Sequence, residues 1–240
     1  MTSDLSFEKI LPKISIGKIL PRISQAQLFS HKKCYLGISL DNPVFQGDSL
    51  KALLLWACCK FEQSLVLIGD YLSRFNEKIL SACDEKRAGD ISIRRGDLFL
   101  LQTKEIFNSL PLQKIHLTRW NEHLKTSEFD IAKKILDNLF ETNSRFRNSV
   151  EYDAMSFVER QKKHNFKLAV TEVEAIRLSC EYILEESAVF SSLASRGWEV
   201  ELYPGSELKV LAEIAAGKYQ EEIPQGLKKR INVELKIGNK

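Results

Sequence analysis

Several signatures of common protein classes are missing from this chain of 240 residues. It has five cysteines, an odd number, with no CxxC pair, and it has no HExxH motif. These absences argue against a disulfide framework and a metal site, and they fit a reducing cytoplasm. No stretch reaches the roughly 18 apolar residues of a membrane helix. Residues 1–15 lack the apolar core of a signal peptide. We therefore expect a cytoplasmic protein with no metal and no membrane segment.

Glycine-rich phosphate-binding loops are missing as well. The chain has neither GxGxxG nor GxxxxGK[ST], so no dinucleotide site or P-loop is expected. The two nucleotide-binding signatures of class I aminoacyl-tRNA synthetases are also absent. No linker rich in Pro, Gly or Ser divides the chain, and its length suits one α/β domain. We expect residues 1–240 to form a single domain that binds no cofactor.

A strand–helix–strand pattern occupies the segment 34–70. Residues 34–40 and 64–70 are apolar runs, and apolar residues recur at helical spacing in 49–63 between them. Two apolar strands joined by a helix are typical of a parallel sheet covered on both faces. We therefore predict an α/β fold, a Rossmann-like parallel sheet flanked by helices. Further strands are predicted at 112–120, 198–204 and, along one sheet edge, 230–237.

Polar residues follow the two predicted strands. Ser39 lies at the end of the first strand and Asp70 at the end of the second. Open α/β sheets bind ligands outside the carboxyl ends of their strands, so Ser39 is a candidate nucleophile. A turn serine that bonds its own backbone is the alternative. The segment Gly37-x-Ser39 lacks the second glycine of the hydrolase nucleophile elbow. A serine without a cofactor loop needs a substrate that arrives already activated.

A second polar group lies late in the chain. Tyr182 and Glu186 are spaced by one helical turn, so their side chains share a face of the helix predicted for 168–196. Burial of that face would raise the pKa of the carboxyl, which suits a general base or an anchor for an ammonium group. A solvent-exposed pair is the alternative. Tyr203 and Pro204 end the strand predicted for 198–204.

Basic residues gather in the helical segment 71–108, although the net charge of only +3 does not by itself indicate nucleic acid. The cluster comprises Lys86, Arg87, Arg94 and Arg95. Arginine suits phosphate contacts, and a merely solvated face is the alternative. In one unbroken helix these arginines would share a face with Ile91, Leu98 and Leu101. A break near Gly89 or Gly96 would relieve that conflict.

Together these motifs resemble the tRNA-dependent cyclodipeptide synthases. The resemblance rests on the order and spacing of four elements. They are Gly37-x-Ser39 after an apolar strand, a helix with the strand at 65–68, Tyr182-x-x-x-Glu186 in a late helix, and Tyr203-Pro204. It covers most of the chain, residues 33–218. The resemblance implies the catalytic-domain fold of class I aminoacyl-tRNA synthetases without the ATP machinery.

The resemblance implies a ping-pong reaction that consumes two aminoacyl-tRNAs. Ser39 would attack the ester of the first, giving an aminoacyl-enzyme. A second aminoacyl-tRNA would supply the amine, giving a dipeptidyl-enzyme, and ring closure would free Ser39 and a cyclic dipeptide. Tyr182 and Glu186 would hold the substrate ammonium, with Glu186 and Tyr203 as candidates for proton transfer. The basic cluster would bind the tRNA backbone, and the protein would act as a monomer.

Four further residues are expected to contact substrate by the same resemblance. Tyr35 and Gly37 would border the first aminoacyl pocket. Pro204, directly after the late tyrosine, assigns the chain to the Tyr-Pro branch of the family. Asn42, three residues after Ser39, instead resembles the asparagine of the other branch, in which histidine follows the late tyrosine.

Two other functions stay open on the sequence. One is a serine-dependent hydrolase or acyltransferase that acts on a small activated ester. The other is a non-catalytic tRNA-binding module with a synthetase-like fold. Strict dependence on charged tRNA separates the synthase from the hydrolase. Trapping of an acyl group on Ser39 separates both enzymes from the binding module.

Overall fold

The computed structural model describes residues 11–163, 167–219 and 222–238. The strands are β1 (Lys13–Leu20), β2 (Lys33–Ile38), β3 (Gln63–Ile68), β4 (Ile115–Arg119), β5 (Val200–Tyr203) and β6 (Ile231–Gly238). The helices are α1 (Gln25–Leu28), α2 (Gly47–Lys60), α3 (Arg74–Ser81), α4 (Glu85–Asn108), α5 (Trp120–His123), α6 (Ser127–Thr142), α7 (Ser144–Lys163), α8 (Glu172–Ser195), α9 (Lys209–Ala215) and α10 (Gln225–Lys229). Strands and helices therefore alternate through β2, α2, β3, α4 and β4, as a parallel sheet requires.

These strands form one sheet in the order β1-β6-β5-β2-β3-β4. Each neighbouring pair from β6 to β4 is parallel, whereas β1 runs antiparallel to β6. The predicted Rossmann-like sheet flanked by helices is confirmed, with an antiparallel strand added at one edge. The prediction that residues 230–237 form an edge strand is wrong, because β1 covers β6 from Lys13–Gly238 to Leu20–Asn232.

Alternate residues of the strands pack into two different layers. On one side, which we call the α2 face, Leu36, Ile38, Val66 and Ile68 join an apolar core with residues of α2. On the other, the α8 face, Tyr35, Leu65 and Leu67 pack with residues of α8 and the helices around it. The strands are buried on both sides, which explains why β2 and β3 read as nearly continuous apolar runs.

Helix α4 is continuous, so the predicted break near Gly89 or Gly96 is wrong. The chain instead turns before the helix, at Ala82, whose φ of 49° is left-handed. The glycines permit close packing, because a Cβ at Gly89 would lie 3.0 Å from the Tyr71 ring and one at Gly96 would collide with the Asp70 carboxylate. The unbroken helix leaves two leucines exposed on the face that carries Arg87 and Arg94, and these are Leu98 (55%) and Leu101 (70%).

Three further observations concern the described ranges only. None of their helices combines the length and the apolar character needed to span a membrane. Within these ranges, no group of three or more His, Cys, Asp or Glu side chains could hold a metal ion. The cysteines Cys34, Cys58, Cys59, Cys83 and Cys180 are all free thiols.

Candidate active site

A cavity of about 610 Å³ opens at the carboxyl ends of the central strands, between the sheet and α8. Residues at or just beyond the ends of β2, β3, β4 and β5 line one side, and α3, α7, α8 and the start of α9 complete the wall. All four predicted catalytic residues line it, and they come from three parts of the chain. They are Ser39, Tyr182, Glu186 and Tyr203. The cavity therefore lies where open α/β sheets hold their ligands.

The end of β2 presents Ser39 beside an empty space. Ser39 follows directly after the strand, and its carbonyl accepts a hydrogen bond of 3.2 Å from the backbone of Asn42. Gly37 pairs with Leu67 in the sheet and lines the cavity. A Cβ placed on Gly37 would meet nothing within 4 Å. The missing side chain thus keeps open the space just inside Ser39, which suits Gly37 to the predicted substrate contact.

Helix α8 brings Tyr182 and Glu186 to the opposite wall of the cavity. Burial, with the nearby charges of Glu201 and Glu207, raises the pKa of Glu186 to about 8. Burial also raises the pKa of Tyr182, whose ring packs edge-on against Phe75 at 6.3 Å. The alternative of a solvent-exposed pair is therefore wrong. A carboxyl with a pKa close to neutral can accept and return a proton at working pH.

Tyr203 reaches the cavity from the end of β5. Its ring packs 6.0 Å from Phe45. Burial raises the pKa of Tyr203, and a hydrogen bond with the Asn42 side chain partly offsets that rise. Asn42 also accepts a hydrogen bond of 3.0 Å from the Val44 backbone, which fixes the turn after Ser39. Asn42 and Pro204 are not among the described residues that line the cavity. In this structure, Asn42 contacts Tyr203.

Tyr35 is placed differently from the sequence expectation, and Asp70, just beyond the end of β3, is not among the described residues that line the cavity. Tyr35 is fully buried beneath the cavity and does not border it. Its hydroxyl donates a hydrogen bond of 3.1 Å to Oε2 of Glu201, and Glu201 is the residue that reaches the cavity. Asp70 is also buried, and it accepts a hydrogen bond of 2.6 Å from Arg119. Asp70 is therefore held in an ion pair that fastens the end of β4.

A buried charged cluster beneath the cavity was missed by sequence reasoning. Arg230 donates a hydrogen bond of 2.7 Å from Nε to Glu201 and lies 2.8 Å from Glu207 through Nη1. Its guanidinium stacks 4.9 Å from the ring of Phe190. A signal was available in β5, because strict alternation places Glu201 on the same side as Tyr203. A charged residue on the buried side of a strand requires a partner or a ligand.

The structure divides the predicted basic cluster into two parts. Lys86, Arg87 and Arg94 are exposed on α4. Arg95 is half-buried and lines the cavity, where it pairs with Asp41 and, at 2.6 Å, with Glu77. The exposed residues are available to an external anion. Arg95 instead ties α4 to the turn that follows Ser39.

Comparison with known proteins gives a match in structure only. No family model matches the chain, and no curated protein matches it by sequence. A cyclodipeptide synthase (CDPS) from Fluoribacter dumoffii superposes with a TM-score of 0.80 at 19% identity, over 96% of this chain and 100% of that one. The chain has the cyclodipeptide synthase fold. The fold expected from the sequence motifs is therefore confirmed.

Two other solved structures extend this comparison. A Mycobacterium tuberculosis protein, whose structure demonstrates that cyclodipeptide synthetases are related to type I tRNA-synthetases, matches with a TM-score of 0.71 at 14% identity, over 91% of this chain and 92% of that one. The cyclodipeptide synthase from Candidatus Glomeribacter gigasporarum, bound to Phe-tRNAPhe, matches with a TM-score of 0.60 at 18% identity. The match covers 87% of this chain and 88% of that one. The predicted likeness to class I synthetases is thus confirmed at the level of the fold.

Proposed function

We propose that this protein is a cyclodipeptide synthase that joins the aminoacyl groups of two aminoacyl-tRNAs into a cyclic dipeptide. The observation that carries the proposal is the convergence of Ser39, Tyr182 and Glu186 on one cavity of this fold. The complex of the Glomeribacter protein with Phe-tRNAPhe supports a charged tRNA as the substrate. An aminoacyl ester is already activated, so the missing nucleotide-binding loops are consistent with the reaction.

The first step forms an ester on Ser39. The Ser39 hydroxyl oxygen attacks the carbonyl carbon of the aminoacyl ester, and the bond to the terminal ribose of the tRNA breaks. The serine proton moves to the departing ribose oxygen. The α-ammonium of the aminoacyl group lies between Tyr182 and Glu186, where a carboxylate can hold a positive charge in a water-poor site. This step leaves an aminoacyl-serine and a free tRNA.

The second step forms the peptide bond on the enzyme. The amine of the serine-bound residue attacks the ester of a second aminoacyl-tRNA, and that tRNA leaves. This direction of attack differs from the sequence expectation that the second tRNA supplies the amine, because only this direction retains the dipeptide on Ser39. Glu186 accepts the proton that the ammonium must lose before it attacks, and its raised pKa suits that transfer.

The third step closes the ring. The free amine of the dipeptide attacks the seryl ester carbonyl, which breaks the bond to Ser39 and returns a proton to its oxygen. Tyr203, whose pKa is raised by burial, stays protonated and can donate a hydrogen bond to the carbonyl oxygen during this attack. The product carries two amide bonds in one ring, and the enzyme is restored without a cofactor.

We further propose that the tRNA backbone lies along α4. Lys86, Arg87 and Arg94 are exposed there, and cationic side chains bind phosphates through counterion release. Tyr203-Pro204 supports membership of the Tyr-Pro branch. We propose that the protein works as a monomer in the cytoplasm, where charged tRNA is available, and that each product consumes two aminoacyl-tRNAs.

Expression of the chain in a bacterium, followed by mass spectrometry of the medium, tests the proposal. We expect cyclic dipeptides with the native chain and none with Ser39→Ala. Intact-mass analysis of the purified protein with aminoacyl-tRNA should show an added aminoacyl group that Ser39→Ala lacks. Acylation by simple esters without tRNA would favour the hydrolase or acyltransferase. Binding of tRNA with no acylation at all would favour the non-catalytic module.

A further inference from the structure

The inner end of the cavity is polar, although it lies deep against the sheet. Glu201 and Asn232 are paired neighbours on β5 and β6, and both line the cavity. Tyr35 is the neighbour of Glu201 on the other side, so these residues form one row across the sheet. Gly37 lies two positions nearer the mouth on β2 and carries no side chain. A group that enters past Ser39 and Gly37 therefore reaches this row.

Both polar residues of the row are left with unused hydrogen-bonding capacity. Each is only 3% exposed. Tyr35 and Arg230 both bond to Oε2 of Glu201, whereas Oε1 has no hydrogen-bond partner within the described residues. The amide of Asn232 makes no side-chain hydrogen bond within those residues either. These polar atoms border the open cavity, so they are available to form hydrogen bonds with a ligand that enters it.

Carboxyl groups outnumber the guanidinium with which they pair in this row, and the cationic side chains of the cavity lining, Arg95 and Arg160, lie on α4 and α7. Burial raises the pKa of Glu201, so this carboxyl favours its protonated form when no further cation is near. Glu201 and Glu207 both pair with Arg230, so two carboxylates share one guanidinium. Arg230 is not among the described residues that line the cavity, and it is fully engaged by these two acids. The next acidic residue along the wall, Asp153, instead accepts hydrogen bonds from the backbone N–H groups of Lys209 and Val210, at 3.0 and 2.9 Å. A cation would complete the balance, and an acidic group would be repelled.

Aromatic rings form the adjacent wall. Trp120 and Phe190 both line the cavity, with their rings 6.3 Å apart in an edge-to-face arrangement. Cationic groups are attracted to the faces of such rings, and the attraction strengthens where water is excluded. Aromatic walls with an acidic floor are the chemistry of a site for an ammonium or a guanidinium.

We propose that this inner end of the cavity selects an aminoacyl group whose side chain ends in an N–H donor, with cationic side chains favoured over neutral ones. The proposal rests on the proposed function, because it assigns the substrate class of the same cavity. The side chain passes Gly37, its terminal N–H groups bond to Glu201 and Asn232, and its ester stays at Ser39. The α-ammonium remains with Tyr182 and Glu186, at the mouth side of the row.

Acylation of Ser39 by tRNAs that differ only in the attached amino acid tests this selection. Single-turnover rates are measured by intact mass with arginyl-, lysyl-, glutaminyl-, leucyl-, phenylalanyl- and glutamyl-tRNA. We expect arginyl- or lysyl-tRNA to react fastest, glutaminyl-tRNA next, and the apolar and acidic groups about 10²-fold more slowly. Fastest acylation by an apolar or acidic aminoacyl group would overturn the inference and leave the proposed function standing. No acylation by these six or by a complete pool of charged tRNAs would instead refute the proposed function.

Two variants test whether the row formed by Glu201 and Asn232 causes the preference for cationic aminoacyl groups. Glu201→Gln keeps the shape and the bonds from Arg230 and Tyr35 but removes one charge, so the preference for cationic over leucyl groups should fall about tenfold. Asn232→Leu should reduce it as well, and it remains informative if Glu201→Gln does not fold. Glu234→Gln, on β6 but outside the cavity lining, is the matched control and should leave the preference unchanged. An unchanged preference in both folded test variants would refute the role of this row.

Discussion

The two faces of the sheet are built from the same strands, but one is covered by a filled apolar core and the other also holds a cavity. Alternate residues of β5 illustrate the difference. Val200 and Leu202 lie in the apolar core of the α2 face, whereas Glu201 lines the cavity on the α8 face. Tyr203, at the end of the strand, lines the cavity and also packs against the core of the α2 face. In β2, Leu36 fills the first core, and Gly37 leaves space beside the second. The α2 face is filled by side chains, and the α8 face keeps a polar cavity open.

The comparison teaches how a strand that is buried on both sides can encode a site. Fully buried strands of parallel sheets are expected to be apolar at every position. A polar residue or a glycine at alternate positions then marks the side on which packing is incomplete. Near the carboxyl ends of the strands, changes on the α2 face should therefore mainly affect stability, and changes at the cavity on the α8 face should mainly affect activity.

The largest effect on the α8 face is expected from Ser39→Ala. Removal of the nucleophile should lower cyclic dipeptide formation by roughly 10³-fold or more, with tRNA affinity and thermal stability unchanged. Mass spectrometry of the product and a tRNA-binding assay measure the two properties. Ser30→Ala, on the exposed turn that precedes β2 and so at the opposite end of this strand from Ser39, is the control. Turnover that survives in Ser39→Ala would refute the assignment of the nucleophile.

Glu186→Gln should reduce the rate of peptide-bond formation by roughly 10²- to 10³-fold, because a carboxamide cannot accept the proton. The native rate should rise with pH through about 8, where the carboxyl ionises. Folding raises this pKa from 4.5 to about 8, so the folded state holds an extra proton between those values. The stability of the native chain relative to Glu186→Gln should therefore fall as pH rises across that window.

Rates of peptide-bond formation by rapid quench, and the free energy of unfolding in denaturant at several pH values, measure these effects. A variant that is merely unfolded at every pH would indicate that Glu186 has a structural role only. Equal dependence of stability on pH in both proteins would show that this carboxyl does not titrate in the window.

Adjacent residues of β2 give the sharpest contrast between the faces. Leu36→Ala should destabilise the protein by about 2–5 kcal/mol, because it leaves a void in the apolar core of the α2 face. Gly37→Ala should change stability by less than about 1 kcal/mol, since its Cβ meets open space. It should nevertheless slow acylation of Ser39, because the methyl group occupies the entrance to the inner cavity. Unfolding in denaturant and acylation rates distinguish the two effects, and reversed effects would contradict the comparison.

The smallest effect is expected when charges are removed from the exposed side of α4, which belongs neither to the cavity wall nor to the core. Replacing Arg87 and Arg94 together by Gln should weaken tRNA binding several-fold and lower the slope of log affinity against log salt by about 2. Lys228→Gln with Lys229→Gln removes the same charge from exposed positions on α10 and is the matched control. Equal losses in both double variants would indicate a general effect of charge. An unchanged slope would place the tRNA elsewhere.

Local sequence patterns were sufficient for most of the elements and for part of the site. Helical periodicity predicted α2 and α8, and the apolar runs predicted β2 and β3. The position of β6 could not be predicted, because its neighbour β1 lies at the opposite end of the chain. Gly89 and Gly96 of α4 were interpreted as helix breakers for a related reason. A glycine that admits a neighbouring side chain cannot be told from one that breaks a helix until the neighbour is known.

The sequence by itself determined the serine at a strand end, the Tyr–Glu pair on one helix face and the absence of nucleotide-binding loops. Periodicity and motif spacing are local properties, so they can be recognised in the amino-acid sequence alone. Only the tertiary structure decided that Tyr35 lies beneath the cavity, that Arg95 is paired with acids, and that Glu201 and Asn232 face an open space. Those facts depend on register between distant strands and on the charges that burial brings together, and no local pattern contains either.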